Sequence, residues 1–411
     1  MSVIESSRGK TAKPFPWTGL IVLASAVFLS VTGETLPTGL LPDMSASLQV
    51  GEPAVGLLVT IFAFTVVATT TPLSALTRRW PRHAVVVIVL AVLGLSNLLT
   101  ALAPTYGLIV VIRLLGGMAH GLFWAVVGAY AGHMVAKEHI GRAVSITLGG
   151  GTLALIFGVP LGTFVGHAFG WRLSFGALAI LMFVGALLAW WLLPVIQRED
   201  TSLRTAGGTI VKQRDRTIPA VVLVCVLASV VMIGQFALYT YVAPFMIDVM
   251  GIDPSAVGAL LFVYGVAGAV GVFLSGSVLG RHPQRSLVIS IVITALAVTA
   301  LALFASQPIP GIVAFVLWGL VFGALPPLLQ TRMLHASSPA FRDTASALYT
   351  TAFNVGIGGG ALIGALLYGA VGVEDLPWVY VGVLVIALVL TVLTERLARR
   401  PRSAASPATP A

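Results

Sequence analysis

The sequence predicts an all-α membrane protein in which twelve transmembrane helices form two six-helix bundles related by pseudo-symmetry. Three observations support this prediction: the composition, the number of long apolar segments, and a repeat that relates the two halves of the chain. Of the 411 residues, 58% are hydrophobic and 9% are charged, whereas soluble domains average about 25% charged residues. This composition excludes an ordinary soluble domain.

Twelve apolar segments are each long enough to cross a bilayer, since a spanning helix needs about 20 apolar residues. The first six lie near residues 17–42, 53–77, 83–103, 106–135, 140–168 and 172–196. The second six lie near 217–247, 255–279, 285–305, 309–334, 343–371 and 376–397. The first segment is too long for the core of a signal peptide, and no small-residue cleavage site follows it.

These segments divide the chain into five predicted regions. They are a cytoplasmic N-terminal tail (1–16), an N-terminal six-helix bundle (17–197), a cytoplasmic linker (198–216), a C-terminal six-helix bundle (217–397) and a disordered cytoplasmic tail (398–411). The linker is the one long polar interruption, and its charged and glycine residues are typical of a solvated connection.

The basic residues predict the orientation. With a cytoplasmic N-terminus, the inner loops, the linker and the C-terminal tail hold most of the Arg and Lys residues, whereas the outer loops are acidic, with Asp43, Glu52, Asp248, Asp253, Glu374 and Asp375. This is the positive-inside pattern. We therefore predict a multi-pass protein of the inner (plasma) membrane with both termini in the cytoplasm. The net charge of +9 is then a topology signal, and no nucleic-acid partner is expected.

An internal repeat relates the two halves. The loop Ser74–His83 and the loop Gly276–Arg285 share an Arg-x-Pro sequence in register, and Gly158 and Gly162 recur as Gly360 and Gly364 at the same offset. Repeats of this kind in transporters place a substrate site near the membrane midplane, between halves that rock against each other.

Glu34 is the one carboxylate that lies deep inside an apolar segment, about 12 Å from the outer end at 1.5 Å per residue. A bare carboxylate at such a depth costs at least ~2.5 kcal/mol, so it is usually paired, protonated or in a wet cavity. A group that alternates between charged and neutral forms is what proton-coupled transport requires. The alternative is a structural carboxylate capped by a neighbouring helix.

Arg113 lies at a depth similar to that of Glu34, and it shares one helical face with His120 and Trp124. An opposite charge favours the ionised carboxylate and burial favours the neutral one, so motion between Glu34 and Arg113 could load and release a proton. A permanent ion pair is the alternative. His120 could titrate near physiological pH or act as a structural hydrogen-bonding group. Trp124 could stack on a solute or serve only in packing.

In the second half no acidic residue lies within a helix core, so charge handling is expected in the first half. Aromatic and amide side chains remain as candidate substrate contacts there: Phe236, Tyr239, Tyr241 and Asn354. The glycine clusters Gly149–Gly151 and Gly358–Gly360 indicate close helix packing, because no Lys-Ser or Lys-Thr follows them as in a phosphate-binding loop. The single Cys225 excludes an intramolecular disulfide and a thiolate metal cluster.

Three motifs together resemble the major facilitator superfamily. The loop Ser74–His83 is similar to the signature between its second and third helices, although Ser74, Arg78 and Pro81 depart from the pattern. The segment Ile109–Gly117 resembles its fourth-helix motif, whose arginine (here Arg113) is associated with proton coupling. The segment Gly158–Gly162 resembles its fifth-helix motif of antiporters, with Val159 between the usual Gly-Pro pair.

The resemblance implies roles for several of these residues. It assigns a gating or structural role to Arg79 and Arg82, and to Gly158, Pro160 and Gly162. A narrower resemblance is to the sugar-efflux and arabinose-efflux-permease group within the drug:proton antiporters. The segments that carry it are Glu34–Pro42, His120–Trp124, Gly170–Arg172, Tyr239–Phe245, Gln330–Arg332 and Asn354–Gly358.

The predicted function is secondary active efflux, in which proton antiport drives export of a small sugar-like or amphipathic drug-like solute by alternating access. Proton-coupled uptake by the same fold, a channel and a membrane-embedded enzyme are the alternatives. No catalytic residues, metal ligands or cofactors are expected, because no ATP-binding or hydrolase motif is present. The expected partners are a small-molecule substrate, protons and the lipid bilayer, and the protein is expected to be a monomer.

Overall fold

The computed structural model describes residues 15–136, 139–195, 215, 217–277, 283–338 and 341–399. All regular structure in these ranges is helical. The first half contains α1 (Trp17–Gly39), α2 (Leu41–Leu48), α3 (Glu52–Leu76), α4 (Arg82–Leu102), α5 (Tyr106–His133), α6 (Ile140–Leu153), α7 (Val159–Phe169) and α8 (Trp171–Leu192). The second half contains α9 (Ile218–Tyr239), α10 (Val242–Pro244), α11 (Pro254–Ser277), α12 (Pro283–Phe304), α13 (Pro308–Ala336), α14 (Arg342–Val371) and α15 (Leu376–Arg399).

Among the described residues, eleven segments are long and apolar enough to cross a membrane, and a shorter apolar stretch, Leu376–Val392, lies at the position of the twelfth predicted helix. The predicted all-α fold with twelve membrane helices is confirmed. The tails 1–14 and 400–411, and nearly all of the predicted linker, fall outside the described residues.

Proline residues explain where the helices differ from the sequence prediction. The first predicted segment, 17–42, ends at Gly39, and α2 begins separately with Pro42 in its first turn. The predicted helix 217–247 ends at Tyr239 and continues as α10 and a π-helical turn, Phe245–Val249, that follows Pro244. A proline lacks a backbone N–H and its ring clashes with the carbonyl four residues earlier, so a regular helix does not pass through it unchanged.

The fifth predicted helix, 140–168, is interrupted for a related reason. A π-helical turn, Ala154–Gly158, separates α6 from α7, and Pro160 lies in the first turn of α7. Because Pro160 cannot donate a hydrogen bond to the preceding turn, that turn widens. Such π-helical turns occur frequently at functional sites.

The two ends of the bundle are named here by one residue each. The Glu52 face carries the connection from α1 to α3, and the Arg79 face carries the 3-10 turn Thr77–Arg79 at the opposite end of α3. The main contacts between the two halves join α3 to α14, and join α7 with its preceding π-helical turn to α11.

These contacts between the halves begin at the Glu52 face. The Tyr368 hydroxyl donates to the Glu52 carboxylate, and the Tyr241 ring lies directly against Gly56. Near the middle of α3, a Cβ on Gly358 of α14 would lie 3.2 Å from the Cβ of Ala63. The side-chain contacts described between the halves therefore lie between the Glu52 face and the middle of the bundle.

Candidate functional site

Glu34 lies on α1, one turn before the end of the helix, and faces α5. Its Oε2 atom is 3.3 Å from His120 Nε2, and the two side chains are 11% and 2% exposed. The sequence placed Arg113, and not His120, at the depth of Glu34, whereas the structure brings His120 into direct contact with the carboxyl group. A buried carboxyl group within reach of an imidazole is a pair that can exchange a proton.

Arg113 binds the backbone of α1 through its guanidinium group. Its Nη1 donates to the Gly33 carbonyl at 3.0 Å and its Nη2 to the Glu34 carbonyl at 3.4 Å. The Gly33 carbonyl lies four residues before Pro37, which has no N–H to donate to it. Pro37 therefore leaves the Gly33 carbonyl without a hydrogen bond inside α1, and Arg113 donates one to it.

Arg113 also contacts an aromatic ring, and one of its guanidinium N–H groups has no hydrogen-bond partner. The guanidinium carbon lies 5.1 Å from the centre of the Phe62 ring on α3, and Nε is buried without a hydrogen-bond partner. A cation over an aromatic face is stabilised by the ring quadrupole. Both hydrogen bonds described for Arg113 go to backbone carbonyls of α1 and neither goes to the Glu34 carboxylate, so this arrangement does not show the permanent side-chain ion pair that was the alternative from the sequence.

His120 is the centre of the polar cluster. Its Nδ1 atom lies 2.9 Å from the Ser30 hydroxyl, and the Trp124 indole N–H donates to its Nε2 atom at 2.7 Å. The Phe62 ring contacts the imidazole edge-on, with ring centres 5.2 Å apart. Trp124 and His120 are one helical turn apart on α5, as the sequence pattern predicted.

The second half has an uncharged cluster at the equivalent place. Gln235 is buried, donates to the Tyr264 hydroxyl at 2.9 Å, and accepts from Trp318 Nε1 and from the Tyr380 hydroxyl at 2.9 Å each. Because every partner here is an amide, a hydroxyl or an indole, this cluster satisfies its polar groups without a charge.

A ring contact repeats between the halves at the repeat interval. Residues 62 and 113 are separated from residues 264 and 315 by the same interval as Gly158 from Gly360. Arg113 lies 5.1 Å from the Phe62 ring, and the Phe315 ring lies 5.0 Å from the Tyr264 ring. At the position where the first half has the Arg113 guanidinium group, the second half has the Phe315 ring.

The candidate substrate contacts of the second half occupy different environments. Tyr239 is buried, and its ring contacts those of Phe236, Tyr264 and Trp318. Tyr241 is fully buried at the Glu52 face, where it stacks on Tyr368. The structure therefore brings Phe236 and Tyr239 together but places Tyr241 within the contact between the halves.

Trp124 of α5 and Asn354 of α14 each lie toward the Arg79 face of the bundle. Asn354 is one turn from Gly358 toward the Arg79 face, and it is partly exposed while its amide donates to the Thr350 carbonyl. Trp124 is also partly exposed, one turn from His120 toward the same face. Both residues therefore lie on the Arg79 side of the contact between Gly358 and Ala63.

The residues of the fifth-helix motif hold α1 and the second half against α7. A Cβ on Gly158 would lie 2.0 Å from Thr32 Oγ1, and one on Gly162 would lie 2.5 Å from Leu36 Cδ1. On the opposite side, a Cβ on Gly258 of α11 would lie 2.9 Å from the Pro160 carbonyl oxygen. The motif therefore lies between the helix that carries Glu34 and the other half of the protein.

The two candidate gating arginines lie at the Arg79 face. Arg79 is exposed at the end of the 3-10 turn after α3, and Arg82 is partly exposed at the start of α4. One guanidinium nitrogen of Arg82, Nη1, is buried without a hydrogen-bond partner. Neither arginine contacts the cluster around His120.

Sequence reasoning missed three members of the site. Ser30 lies one turn before Glu34 on α1, Phe62 contacts both Arg113 and His120, and Pro37 frees the Gly33 carbonyl. The spacing of Ser30 from Glu34, and the rule that a proline frees the carbonyl four residues before it, could have identified two of them. Within the described residues, no group of three or more His, Cys, Asp or Glu side chains could hold a metal ion.

A multi-pass helical protein built from two repeated halves, with a buried Glu-His-Arg cluster between its helices, has the features of a secondary transporter. The comparisons with known proteins agree. The family model of the Major Facilitator Superfamily matches residues 23–229 and 224–411, so this chain belongs to that superfamily. It is a membrane transporter and not an enzyme, as the sequence predicted.

Two relatives carry the narrower resemblance. The chain is 35% identical over 365 residues to a chloramphenicol efflux pump of Mycobacterium tuberculosis, covering 86% of this chain and 87% of the pump. It is 29% identical over 360 residues to a probable sugar efflux transporter of Helicobacter pylori, covering 88% and 90%. The predicted resemblance to drug- and sugar-efflux proteins is confirmed.

Solved structures share the fold at low identity. A bacterial homologue of the human lysosomal transporter Spinster has a TM-score of 0.76 at 18% identity, with 96% of this chain and 100% of the other covered. A D-xylose–proton symporter has a TM-score of 0.76 at 14% identity, with 92% and 97% covered. These likenesses establish the twelve-helix fold.

Proposed function

We propose that this protein exports a small sugar-like or amphipathic drug-like solute in exchange for protons, by alternating access between its two halves. The observation that carries the proposal is the buried contact between Glu34 Oε2 and His120 Nε2 at 3.3 Å. A carboxyl group at this depth is costly unless it has a function or a partner. The names of the two relatives, a drug efflux pump and a sugar efflux transporter, support export.

Glu34 and His120 carry the proton in this proposal, and Arg113 positions α1. The guanidinium group holds the Gly33 and Glu34 carbonyls, so it fixes the part of α1 on which the carboxyl group sits. It also provides a positive charge that favours the ionised carboxylate once the proton leaves. Movement of α1 relative to α5 then changes which form of Glu34 is favoured.

The solute is proposed to bind between the halves, on the Arg79 side of the contact between Gly358 and Ala63. Trp124 and Asn354 are proposed to contact it there, with Phe236 and Tyr239 on the wall of the second half and Tyr241 at the closed end. Small-ligand sites are mostly apolar with a few orienting polar groups, and this set has that composition.

The orientation is proposed from the charges. By the positive-inside rule, the basic Arg79 face, with Arg79 and Arg82, would lie in the cytoplasm, and the Glu52 face would lie outside. The contacts between the halves then close the outer side of the transporter. The proposed location is the plasma membrane, with a monomer as the transporting unit and with residues 17–197 and 217–397 as the two rocking bundles.

The test is transport into proteoliposomes with an imposed pH gradient, with radiolabelled chloramphenicol and arabinose as solutes. Glu34→Gln keeps the size of the side chain but cannot ionise. It should abolish accumulation driven by the pH gradient while it preserves solute–solute exchange without a gradient. Glu374→Gln, which changes an exposed carboxylate, should behave as the unmodified protein. Uphill transport by Glu34→Gln at the wild-type rate would refute the role of Glu34.

Three further variants test the solute site. Trp124→Ala, Tyr239→Ala and Asn354→Ala should weaken binding of a transported solute, measured by equilibrium binding to the purified protein. Proton-independent exchange at saturating solute should persist in each. Normal affinity in all three would remove these residues from the solute site and leave them as packing residues.

A further inference from the structure

His120 Nε2 faces two groups that compete for it. The Trp124 indole nitrogen is 2.7 Å away and Glu34 Oε2 is 3.3 Å away. A neutral imidazole has one N–H and one nitrogen lone pair, and the partners of the two nitrogens show which is which. The indole N–H is a donor only. Nε2 is therefore the unprotonated nitrogen of His120.

The other side of the ring agrees with this tautomer. Nδ1 carries the proton and donates it to the Ser30 hydroxyl at 2.9 Å. Glu34 then faces a lone pair on Nε2. A carboxylate oxygen would oppose that lone pair with its own, whereas the protonated acid can direct its O–H toward it. The arrangement matches neutral His120 and protonated Glu34.

We propose that the Trp124 indole and the proton of Glu34 compete for the single lone pair of His120 Nε2, so that proton transfer to His120 releases the indole. This proposal rests on the proposed function and specifies how its proton site communicates with its solute site. In the transfer, the O–H bond of Glu34 breaks and an N–H bond forms with the Nε2 lone pair. The products are a carboxylate and an imidazolium, and no other reactant is needed.

After the transfer, the indole N–H of Trp124 faces another N–H and has no acceptor on His120. Trp124 lies one turn from His120 toward the Arg79 face and is partly exposed. An acceptor oxygen on a bound solute, such as a hydroxyl or a carbonyl, satisfies the freed N–H. By linkage, a solute that accepts this hydrogen bond favours protonated His120, and protonated His120 favours the solute.

Few charges surround His120 in the described part of the chain. Glu34 faces it from α1, and Arg113 lies on its own helix with its guanidinium bound to α1 carbonyls. The contact from α3 is the Phe62 ring. The basic side chains of α4 and α6 are far along those helices, toward the Arg79 face: Arg82, His83 and Arg142. Glu34 is thus the proton donor in contact with Nε2.

The spectroscopic test is ¹⁵N NMR of the purified full-length protein labelled at histidine and tryptophan, without added solute. His120→Gln and Trp124→Phe assign the signals. At neutral pH, His120 should show the Nδ1–H tautomer. On acidification, the His120 ring should become doubly protonated and the Trp124 indole signal should move at the same pH. The Trp318 indole, which donates to the Gln235 amide oxygen at 2.9 Å, should stay in place.

Two spectroscopic results would overturn the proposal. One is an Nε2–H tautomer of His120 at neutral pH, and the other is protonation of His120 with no response from the Trp124 indole. Ser30→Ala provides a second perturbation, because it removes the acceptor of Nδ1–H. It should raise the Nε2–H population and weaken the Trp124 hydrogen bond, and an unchanged tautomer in this variant would also count against the proposal.

The functional test uses two matched tryptophan variants in proteoliposomes. Trp124→Phe keeps an aromatic ring and removes the competing N–H, so the pH profile of transport should move by roughly 0.5 to 1 pH unit to higher pH, as expected for loss of one neutral hydrogen bond. Trp318→Phe removes an indole N–H that faces a group that does not titrate, and it should keep the wild-type profile. Identical profiles for both variants would overturn the proposal.

The NMR result is independent of transport, which separates the two proposals. Uphill transport by Glu34→Gln refutes proton antiport at Glu34, even if the His120 and Trp124 signals move together. Loss of uphill transport in Glu34→Gln, with a Trp124 signal that does not follow His120, supports the proposed function and refutes the competition for Nε2.

Discussion

Replacement of Gly258 by alanine is expected to separate the two halves at the Glu52 face. Gly258 lies near the start of α11, where it packs against the backbone of α7. An added Cβ would lie 2.9 Å from the Pro160 carbonyl oxygen, and 3.2 Å and 3.3 Å from the N and Cβ atoms of Phe164. Two of these three atoms belong to the backbone, so no side-chain rotation relieves the contact.

The magnitude follows from that overlap. Ordinary contacts to a Cβ atom begin at 3.4 Å, so the helices must move apart by about 0.5 Å at this point, and overpacking of this kind typically costs ~1–3 kcal/mol. Because the overlap is small, the expected cost of Gly258→Ala is near the lower end of this range, about 1 kcal/mol. A cost of about 1 kcal/mol lowers the ratio of closed to open Glu52 faces by roughly fivefold.

The assay is a distance distribution from spin labels at Ala46→Cys on α2 and Glu374→Cys between α14 and α15. Both positions are exposed at the Glu52 face, and Cys225, the one native cysteine, is first changed to serine. Gly258→Ala should enlarge the long-distance population. Gly268→Ala is the matched control on the same helix, because its Cβ would meet only the Gly319 carbonyl at 3.5 Å.

Equal distance distributions for Gly258→Ala and Gly268→Ala would refute the reasoning. That result would mean that α7 and the π-helical turn before it absorb the new methyl group locally. Both variants must first elute as single species by size exclusion, so that an enlarged distance reports a change between the halves and not unfolding.

Two further predictions concern the loops. Hydrogen bonds from the hydroxyls of Ser338 and Thr217 lower the pKa of Asp215 below its ordinary value of 3.8. The ionised Asp215 therefore stabilises the folded protein above the pKa that this residue has in the unfolded chain. This stabilisation is lost as the pH falls through the lower pKa of the folded state. Asp215→Asn should therefore lower the Tm of the detergent-solubilised protein at pH 7 but not below the folded pKa, and an equal loss at both pH values would contradict this. Replacement of both Arg79 and Arg82 by alanine should slow turnover several-fold with little change in solute affinity, once reporter fusions show that orientation is intact; weaker binding at normal turnover would argue against a gating role.

Several features of the fold could be derived from the sequence because they depend on composition and spacing. Segment length and hydropathy predicted the membrane helices, and a bilayer leaves a chain with this composition few other structures. The i+7 and i+11 spacing from Arg113 predicted that His120 and Trp124 lie on the same face of α5 as Arg113. The glycine clusters Gly149–Gly151 and Gly358–Gly360 predicted close helix packing, and the structure places Gly150 against the Ala24 carbonyl and Gly360 against the Ile233 carbonyl.

The breaks within the predicted helices were missed because the length of an apolar run does not show where the helix inside it is interrupted. Pro42, Pro160 and Pro244 lie inside long hydrophobic runs, and the structure converts each into a helix start or a π-helical turn. A proline inside an apolar run signals such a break, but whether it kinks, widens or ends the helix depends on what the neighbouring helices can pack against it.

By itself, the sequence determined that the chain spans a membrane twelve times in two repeated halves, and that its buried carboxyl group is Glu34. These features could be predicted because the length and the periodicity of a membrane helix depend only on the residues of its own segment. Only the tertiary structure decided the partners of that group. The choice of His120 over the Arg113 guanidinium depends on the rotation of α1 against α5 and on the carbonyl that Pro37 frees at Gly33. Contacts between helices distant in the sequence are set by their packing, which no local pattern specifies.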